Sequence, residues 1–258
     1  MLLNNKIALI TGITNEYSIA YHIAKAYTEN GATVILTYQG ERLHDAAQKI
    51  ADKIGAAAIF ELDATKEASL DNVFGAIETQ FGGLDIFVHA IAFAPKNELT
   101  GGITNATQEG FATALDVSAY TLISMSKRAA ALMRGRDGGS IMTLTYIGAD
   151  RALPSYNAMG CAKAALESAM RYLAFELGSD KIRVNALSCA PIKTVAARSI
   201  PGFMDMYNSF GSQCFLKRNM TGEDVAGPAV FLGSDMSKAI TGTVIYVDGG
   251  FHSAAAVI

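Results

Sequence analysis

The chain has 258 residues, half of them hydrophobic and 17% charged, with a formal net charge of −3. That balance provides for a large core and leaves no basic footprint for a nucleic acid, and no apolar run nears the ~18 residues that suggest a membrane span. The positive mean hydropathy, +0.24, beside so little charge, points to surface covered by sister subunits. The opening M-L-L-N-N-K passes straight into a strand-like run, so no export signal is expected. Cys161, Cys189 and Cys214 stand far apart and His22, His44, His89 and His252 form no local pair. No metal is therefore expected, and three reduced thiols fit a cytoplasmic location.

Taken in order, the chain alternates between the periods of strand and helix. Residues 6–11 are a short apolar run closed by Gly12, as in a buried parallel strand. Residues 18–30 repeat apolar side chains at helical spacing (Ile19, Ile23, Ala24, Tyr27) up to a stop at Gly31. A second strand, 33–38, is followed by a helix over 41–54 and a third strand, 57–62. Residues 69–81 are helical with Ser69 as the expected N-cap, and 84–91 are a fourth strand. A loop rich in Gly, Thr and Asn, 96–107, leads into one long helix over about 109–133. The strand 140–145, a helix from Tyr156 to about Leu177 and the strand 183–188 follow. A long irregular segment, 189–220, precedes a capped helix over 221–232 and a last strand, 243–247. This alternation predicts an α/β fold with a doubly wound parallel sheet, Rossmann-like, as a single domain over 1–258.

In such sheets the ligand lies beyond the carboxyl ends of the strands, so the residues there are the candidates. After the first strand stands a single glycine, Gly12, in place of a full G-x-G-x-x-G. Gly12 suits a tight turn, and free N–H groups at Ser18 and Ile19, where the helix opens, suit a pyrophosphate; an ordinary strand–helix connection reads the same way. After the second strand, Gln39 can bond a ribose without repelling it, which favours NADH over NADPH, although Arg42 lies near enough in sequence to meet a 2′-phosphate. Asp63, after the third, can accept from an adenine amino group or cap a turn. Ala90, Ala92 and Ala94, after the fourth, leave room for a flat ring or pack tightly.

After the fifth strand come Tyr146, Tyr156 and Lys163. Seven residues of helix return to within roughly 20° of the same face, about 10 Å along the axis, so Tyr156 and Lys163 share a face. A phenol and an ammonium there make a proton donor and a cation to support it. Taken alone, the same residues are a packing tyrosine and a surface lysine. A nicotinamide at the neighbouring strand ends changes that: Lys163 would hold ribose hydroxyls and polarise the phenol, and Tyr156 would stabilise an oxyanion left by hydride transfer.

With these features in order along one sheet edge, the chain resembles the short-chain dehydrogenase/reductase superfamily. Within it, the chain is similar to the bacterial NADH-dependent enoyl-[acyl-carrier-protein] reductases of fatty-acid biosynthesis. Ordinary superfamily members carry Tyr-x-x-x-Lys after a strand serine; here Met159 stands four before Lys163 and Thr145 at the strand end. Tyr-x6-Lys with a second tyrosine ten residues upstream is the enoyl-reductase arrangement, present as Tyr146, Tyr156 and Lys163. The likeness extends through F-V-H-x-I-x-F-A-P (87–95), Y-N-x-M-G-x-A-K (156–163), P-I-x-T (191–194) and V-D-G-G-F (247–251).

The resemblance implies that Gly12, Ser18, Ile19, Gln39, Asp63, Ala64, Ile91, Lys163, Ile192, Lys193, Thr194, Val195 and Ala196 contact the dinucleotide. It implies that Tyr146, Tyr156 and Lys163 are catalytic, with Ala94 at the substrate. It gives 193–215 a reading as a mobile substrate-binding loop, in which Ala196, Ala197, Ile200, Phe203, Met206 and Tyr207 line the acyl chain. It further implies an acyl-carrier protein as partner and a homotetramer. The family often has Ser and Gly where Ala90 and Ala92 stand, and Ala-Gly-Pro where Cys189-Ala190-Pro191 stands. The methyl of Ala92 narrows the region beside the nicotinamide. A carbonyl-reducing enzyme and a dinucleotide-binding regulator without turnover are the alternatives.

Overall fold

The strands β1 (Ile7–Ile10), β2 (Thr33–Tyr38), β3 (Ala58–Glu61), β4 (Ile86–His89), β5 (Gly139–Thr145), β6 (Ile182–Cys189) and β7 (Val244–Val247) make one sheet. Its order is β3-β2-β1-β4-β5-β6-β7, with every pairing parallel. The computed structural model describes residues 1–254. Between and after the strands lie α1 (Ile19–Glu29), α2 (His44–Ile54), α3 (Glu67–Phe81), α4 (Gln108–Leu115), α5 (Thr121–Met133) and α6 (Asn157–Leu177). They are followed by α7 (Val195–Arg198), α8 (Phe203–Gln213) and α9 (Gly222–Gly233).

Strand alternation sorts the core into two layers. Ala8 and Ile10 face one layer with Val34, Leu36, Ile86 and Val88, covered by Ile23 and Tyr27 of α1, Ile50 of α2 and Val225 of α9. Leu9, Ile35, Phe87 and Ile141 face the other, covered by Val73 and Ile77 of α3, Leu122 and Met125 of α5 and Leu166 and Met170 of α6. Both faces are therefore buried, which is why these strands read as nearly continuous apolar runs. Buried polar groups are paired across the layers: the Tyr27 hydroxyl donates to the Ala229 carbonyl at 2.9 Å. Asp85, beside the start of β4, accepts from the Ile7 N–H at 2.8 Å and from Arg136 at 2.8 and 2.9 Å.

Because the chain runs outward from β1 to β3 and returns to β4 on the other side of β1, the strand order reverses between β1 and β4. A doubly wound sheet has its crevice at that point.

Four expectations differ from the structure. The helix expected over 109–133 is two helices joined by a π-helical segment, Asp116–Tyr120. The long irregular segment contains α7 and α8, because Thr194 caps the first through its hydroxyl (Ala197 N–H to Oγ1, 3.0 Å) and Phe203 and Phe210 bury one side of the second. Ser69 is not an N-cap: α3 begins at Glu67, and the Ser69 hydroxyl accepts the Asp63 N–H at 3.0 Å, holding the preceding turn. The helix expected from Tyr156 begins at Asn157, for reasons that bear on the site. Among the described residues no helix is long and apolar enough to cross a membrane, and no group of three or more His, Cys, Asp or Glu could hold a metal.

Candidate active site

A cavity of about 740 Å³ opens beyond the carboxyl ends of the strands, at the reversal of strand order. Its lining includes Gly12, Ser18, Ile19, Gln39, Ala64 and Ile91, and also Ile192, Thr194, Val195 and Ala196. Ala94, Tyr146, Tyr156, Lys163, Ala197, Ile200, Phe203 and Met206 line it as well. Three candidates lie off this wall. The Asp63 carboxylate accepts from the Thr65 N–H (3.1 Å) and hydroxyl (2.7 Å) and pairs with Lys66 at 3.2 Å. Burial tends to raise the Asp63 pKa, but these bonds outweigh it and hold the carboxyl below its ordinary range. Lys193 and Tyr207 turn to each other, the ammonium 4.2 Å from the ring centroid, an arrangement favoured by the ring quadrupole.

At β1 the need for glycine is steric. Gly12 has φ 80°, and a Cβ there would lie 2.3 Å from the Ala90 carbonyl oxygen, so the ends of β1 and β4 touch through it. Ser18 caps α1, its hydroxyl accepting the Tyr21 N–H at 3.2 Å. Its own N–H is spent on the Asn15 carbonyl at 3.1 Å. Of the two N–H groups expected to be free, only that of Ile19 is, together with that of Ala20. A glycine cradle with open helix-start donors beside it suits a pyrophosphate.

Tyr156 is not in the helix that carries Lys163. Its φ and ψ are −107° and −26°, and Asn157 has φ 28°, so helical periodicity does not relate the two side chains. They nevertheless meet the same cavity. The Tyr156 ring is buried, with the Tyr146 ring edge-on at 5.1 Å and 73°. The Tyr146 hydroxyl donates to the Met206 sulfur of α8 at 3.4 Å. Lys163 is buried on α6 and donates from Nζ to the Leu144 carbonyl at 2.7 Å.

The electrostatics run against one expectation. A nearby ammonium should depress a phenol's pKa, but burial dominates, and with Tyr146 and Cys189 it pushes the Tyr156 phenol well above its ordinary value. Burial likewise lifts Tyr146 to about 12, with the Asp248 carboxylate adding to it. Lys163 moves the other way, lowered by burial to about 8 despite Cys189 and Glu167. One cavity is thus lined by a protonated Tyr156 hydroxyl and by a Lys163 ammonium whose pKa is lowered to about 8. Thr145, at the position of the superfamily's serine, gives its hydroxyl to Glu167 at 2.7 Å.

Gly148 seats the tyrosine. A Cβ there would lie 2.3 and 2.6 Å from Cδ1 and Cε1 of Tyr156, atoms of a buried ring with nowhere to go. Gly148→Ala should therefore displace the ring and reduce turnover by about 100-fold, since an ~1 Å misplacement at a reacting centre costs that much. NADH titration of the same variant should give an unchanged affinity; wild-type turnover would show that the ring's seat is not required.

The sequence reading missed the wall opposite. Thr113 of α4 and Val117 of the π segment line the cavity. Ser118 is fully buried and clamps the chain after β4, accepting the Phe93 N–H and donating to the Phe93 carbonyl, each at 3.0 Å. Behind it His89 spans Thr121 (2.9 Å) and Thr143 (3.0 Å). The Thr121 hydroxyl is given to Val117, so His89 donates to it from Nε2 and accepts from Thr143 at Nδ1. Burial and the Lys163 charge keep that imidazole neutral, its pKa lowered to about 3. An extra residue in a helical turn leaves no mark in the apolar pattern, which is why this wall was not visible.

A parallel sheet wound from its middle, a cleft that takes a dinucleotide at the reversal of strand order, and a tyrosine and lysine beyond β5 are the plan of a short-chain dehydrogenase/reductase. A family described as enoyl-(acyl carrier protein) reductase matches residues 12–252. A protein of Rickettsia felis named enoyl-[acyl-carrier-protein] reductase [NADH] FabI is 46% identical over 251 residues, covering 97% of this chain and 96% of its own. One of the same name from Aquifex aeolicus is 44% identical over 257 residues, covering 97% and 93%. The solved Aquifex aeolicus VF5 enzyme superimposes with a TM-score of 0.96 at 42% identity, over 100% of both chains. That of Anaplasma phagocytophilum, solved in complex with NAD, gives 0.96 at 38% identity, over 100% and 98%. The chain belongs to the enoyl-(acyl carrier protein) reductase family.

Proposed function

We propose that this chain is an NADH-dependent enoyl-[acyl-carrier-protein] reductase of fatty-acid biosynthesis. The observation that carries the reading is the convergence of Tyr146, Tyr156 and Lys163 on the inner end of one cavity whose other end is a glycine cradle. NADH, when bound, supplies the hydride that adds to Cβ of a trans-2-enoyl thioester. Negative charge then develops on the thioester oxygen, and the buried Tyr156 hydroxyl donates to it. A neutral phenol in a water-poor pocket is a strong donor there, because the low dielectric magnifies the interaction and the group needs no reorganisation. Lys163, which gives one of its three N–H donors to the Leu144 carbonyl, would hold the ribose hydroxyls with the others. Gly12, Ser18, Ile19, Gln39, Ala64, Ile91, Ile192, Thr194, Val195 and Ala196 would bind the dinucleotide, with Asp63 and Lys193 at its margin. The absence of an arginine at Gln39 favours NADH.

The acyl chain runs between Ala94 and the segment 193–215, along Ala196, Ala197, Ile200, Phe203 and Met206. That segment acts as a substrate-binding loop, and its contact from Met206 to Tyr146 links its position to the reacting end. The acyl-carrier protein delivers the thioester to the mouth, where Lys96 and Arg198 border a hollow of about 570 Å³ that shares Ile200 and Phe203 with the main cavity. The chain works as one domain, in the cytoplasm, and as a homotetramer. Large exposed side chains support the assembly: Tyr172 and Phe175 on α6 are 75% and 89% exposed, and Ile123 on α5 adds to the same kind of surface.

A spectrophotometric assay with a crotonyl thioester tests the reading. NADH should be consumed readily and NADPH slowly, with little oxidation when a 3-oxoacyl thioester replaces the enoyl one. Faster turnover of the 3-oxoacyl substrate would make the chain a carbonyl reductase. No turnover of either would make it a dinucleotide-binding protein of another kind.

A further inference from the structure

Among the described residues only Asn5, Ser155, Asn157, Lys181 and Lys217 combine a positive φ with a side chain, and two of the five flank Tyr156. Ser155 has φ 59° and Asn157 φ 28°. Side chains in this region are uncommon outside glycine, and asparagine is among the few that enter it readily. Such residues persist where surrounding contacts over-determine them, and they gather at functional sites. Here the contacts are visible. The Asn157 amide donates to the Gly101 carbonyl at 3.0 Å, fastening the turn to the loop before α4. The Tyr156 carbonyl accepts the Gly160 N–H at 3.0 Å, so it already belongs to the first turn of α6. Tyr156 itself stands just outside that helix with its ring over Gly148.

We propose that Asn157 is a positioning residue: its left-handed backbone, held by the amide bond to Gly101, turns Tyr156 out of α6 and onto Gly148. With Asn157 in the ordinary helical region, α6 would extend back through Tyr156, and the ring would follow the helix surface rather than the cavity wall. The assignment rests on the reading of Tyr156 as the donor to the thioester oxygen.

The test compares crotonyl-thioester turnover, NADH affinity and thermal unfolding in Asn157→Ala, Asn157→Gly and Tyr156→Phe. Glycine keeps the conformation and loses the amide, whereas alanine loses both. Asn157→Gly should retain kcat within about threefold, and Asn157→Ala should lose about 10-fold or more, given the cost of a side chain forced to positive φ. NADH affinity should stay within about twofold in both, because Tyr156 does not bind the dinucleotide. If Asn157→Ala does not fold, Asn157→Ser carries the same comparison. Full kcat in Asn157→Ala, even at a lowered melting temperature, would make the residue merely structural and overturn the proposal. Equal loss in the glycine and alanine variants would also overturn it, because the backbone would then not be the cause. Full activity in Tyr156→Phe would instead bring down the reading of Tyr156, whatever the Asn157 variants do.

Discussion

Replacement of Tyr156 by Phe should lower kcat for a crotonyl thioester by about 100-fold or more, the usual cost of removing one oxyanion donor. The ring and its contacts survive the change, so the seat on Gly148 and the edge-on packing with Tyr146 remain. Only the hydroxyl is lost. Tyr146 cannot stand in for it, because its own hydroxyl points to Met206. KM for NADH and the melting temperature should be nearly unchanged. The pH profile adds a second check. Burial holds the Tyr156 phenol above its ordinary range, so the donor stays protonated through neutral and mildly alkaline pH. Any alkaline fall in the wild-type profile below about pH 9 must then come from another group. Wild-type kcat in Tyr156→Phe would remove the hydroxyl from the chemistry.

Lys163→Met should nearly abolish turnover and weaken NADH binding by about 10-fold or more, the loss of a hydrogen bond from a charged donor. It should also stabilise the protein. Burial lowers the Lys163 pKa from 10.5 to about 8, which amounts to about 3 kcal/mol against the folded state at neutral pH at 1.36 kcal/mol per pH unit. Methionine removes that penalty and leaves the Leu144 carbonyl unpaired, at about 1–2 kcal/mol, so a net gain of about 1–2 kcal/mol is expected. The sign with pH follows from linkage. Between pH 8 and 10.5 the unfolded lysine holds a proton that the folded one has released, so wild-type stability gains from this residue as pH rises through that window. The difference in melting temperature between variant and wild type should be positive at pH 7 and shrink above pH 8. A variant less stable than wild type at pH 7 would show that the bond to Leu144 outweighs the buried charge. NADH affinity of the wild type should fall over the same rise in pH, as the ammonium is lost.

These two residues also show how far the sequence could be read. Tyr146, Tyr156 and Lys163 were singled out by the resemblance, in which Tyr-x6-Lys differs from the Tyr-x-x-x-Lys of carbonyl reducers and Met159 stands at the excluded position, and the three line one cavity. The geometric reason first given for the spacing, a shared helix face, is not how the fold brings them together. The chain reverses at Ser155 and Asn157, and Tyr156 reaches the cavity from outside α6. Positive φ at a serine and an asparagine is a property of the surrounding contacts and carries no periodic signal. The same holds for Ser118 and Val117, whose orientation depends on one extra residue in a helical turn.

By itself the sequence determined the alternation of strands and helices, the parallel sheet with both faces covered, and the location of the site beyond the strand ends. Those follow from local periodicity: Leu9 and its neighbours Ala8 and Ile10 sort to opposite layers because strand side chains alternate. Only the tertiary structure decided which candidates share a wall and in what protonation state. Asp63 and Lys193 satisfy their charges locally and leave the cavity to others. Lys163 was expected to pull the phenol down, and instead the loss of water around both groups raises the phenol and lowers the ammonium. Desolvation depends on everything packed around a group, and those neighbours come from distant parts of the chain.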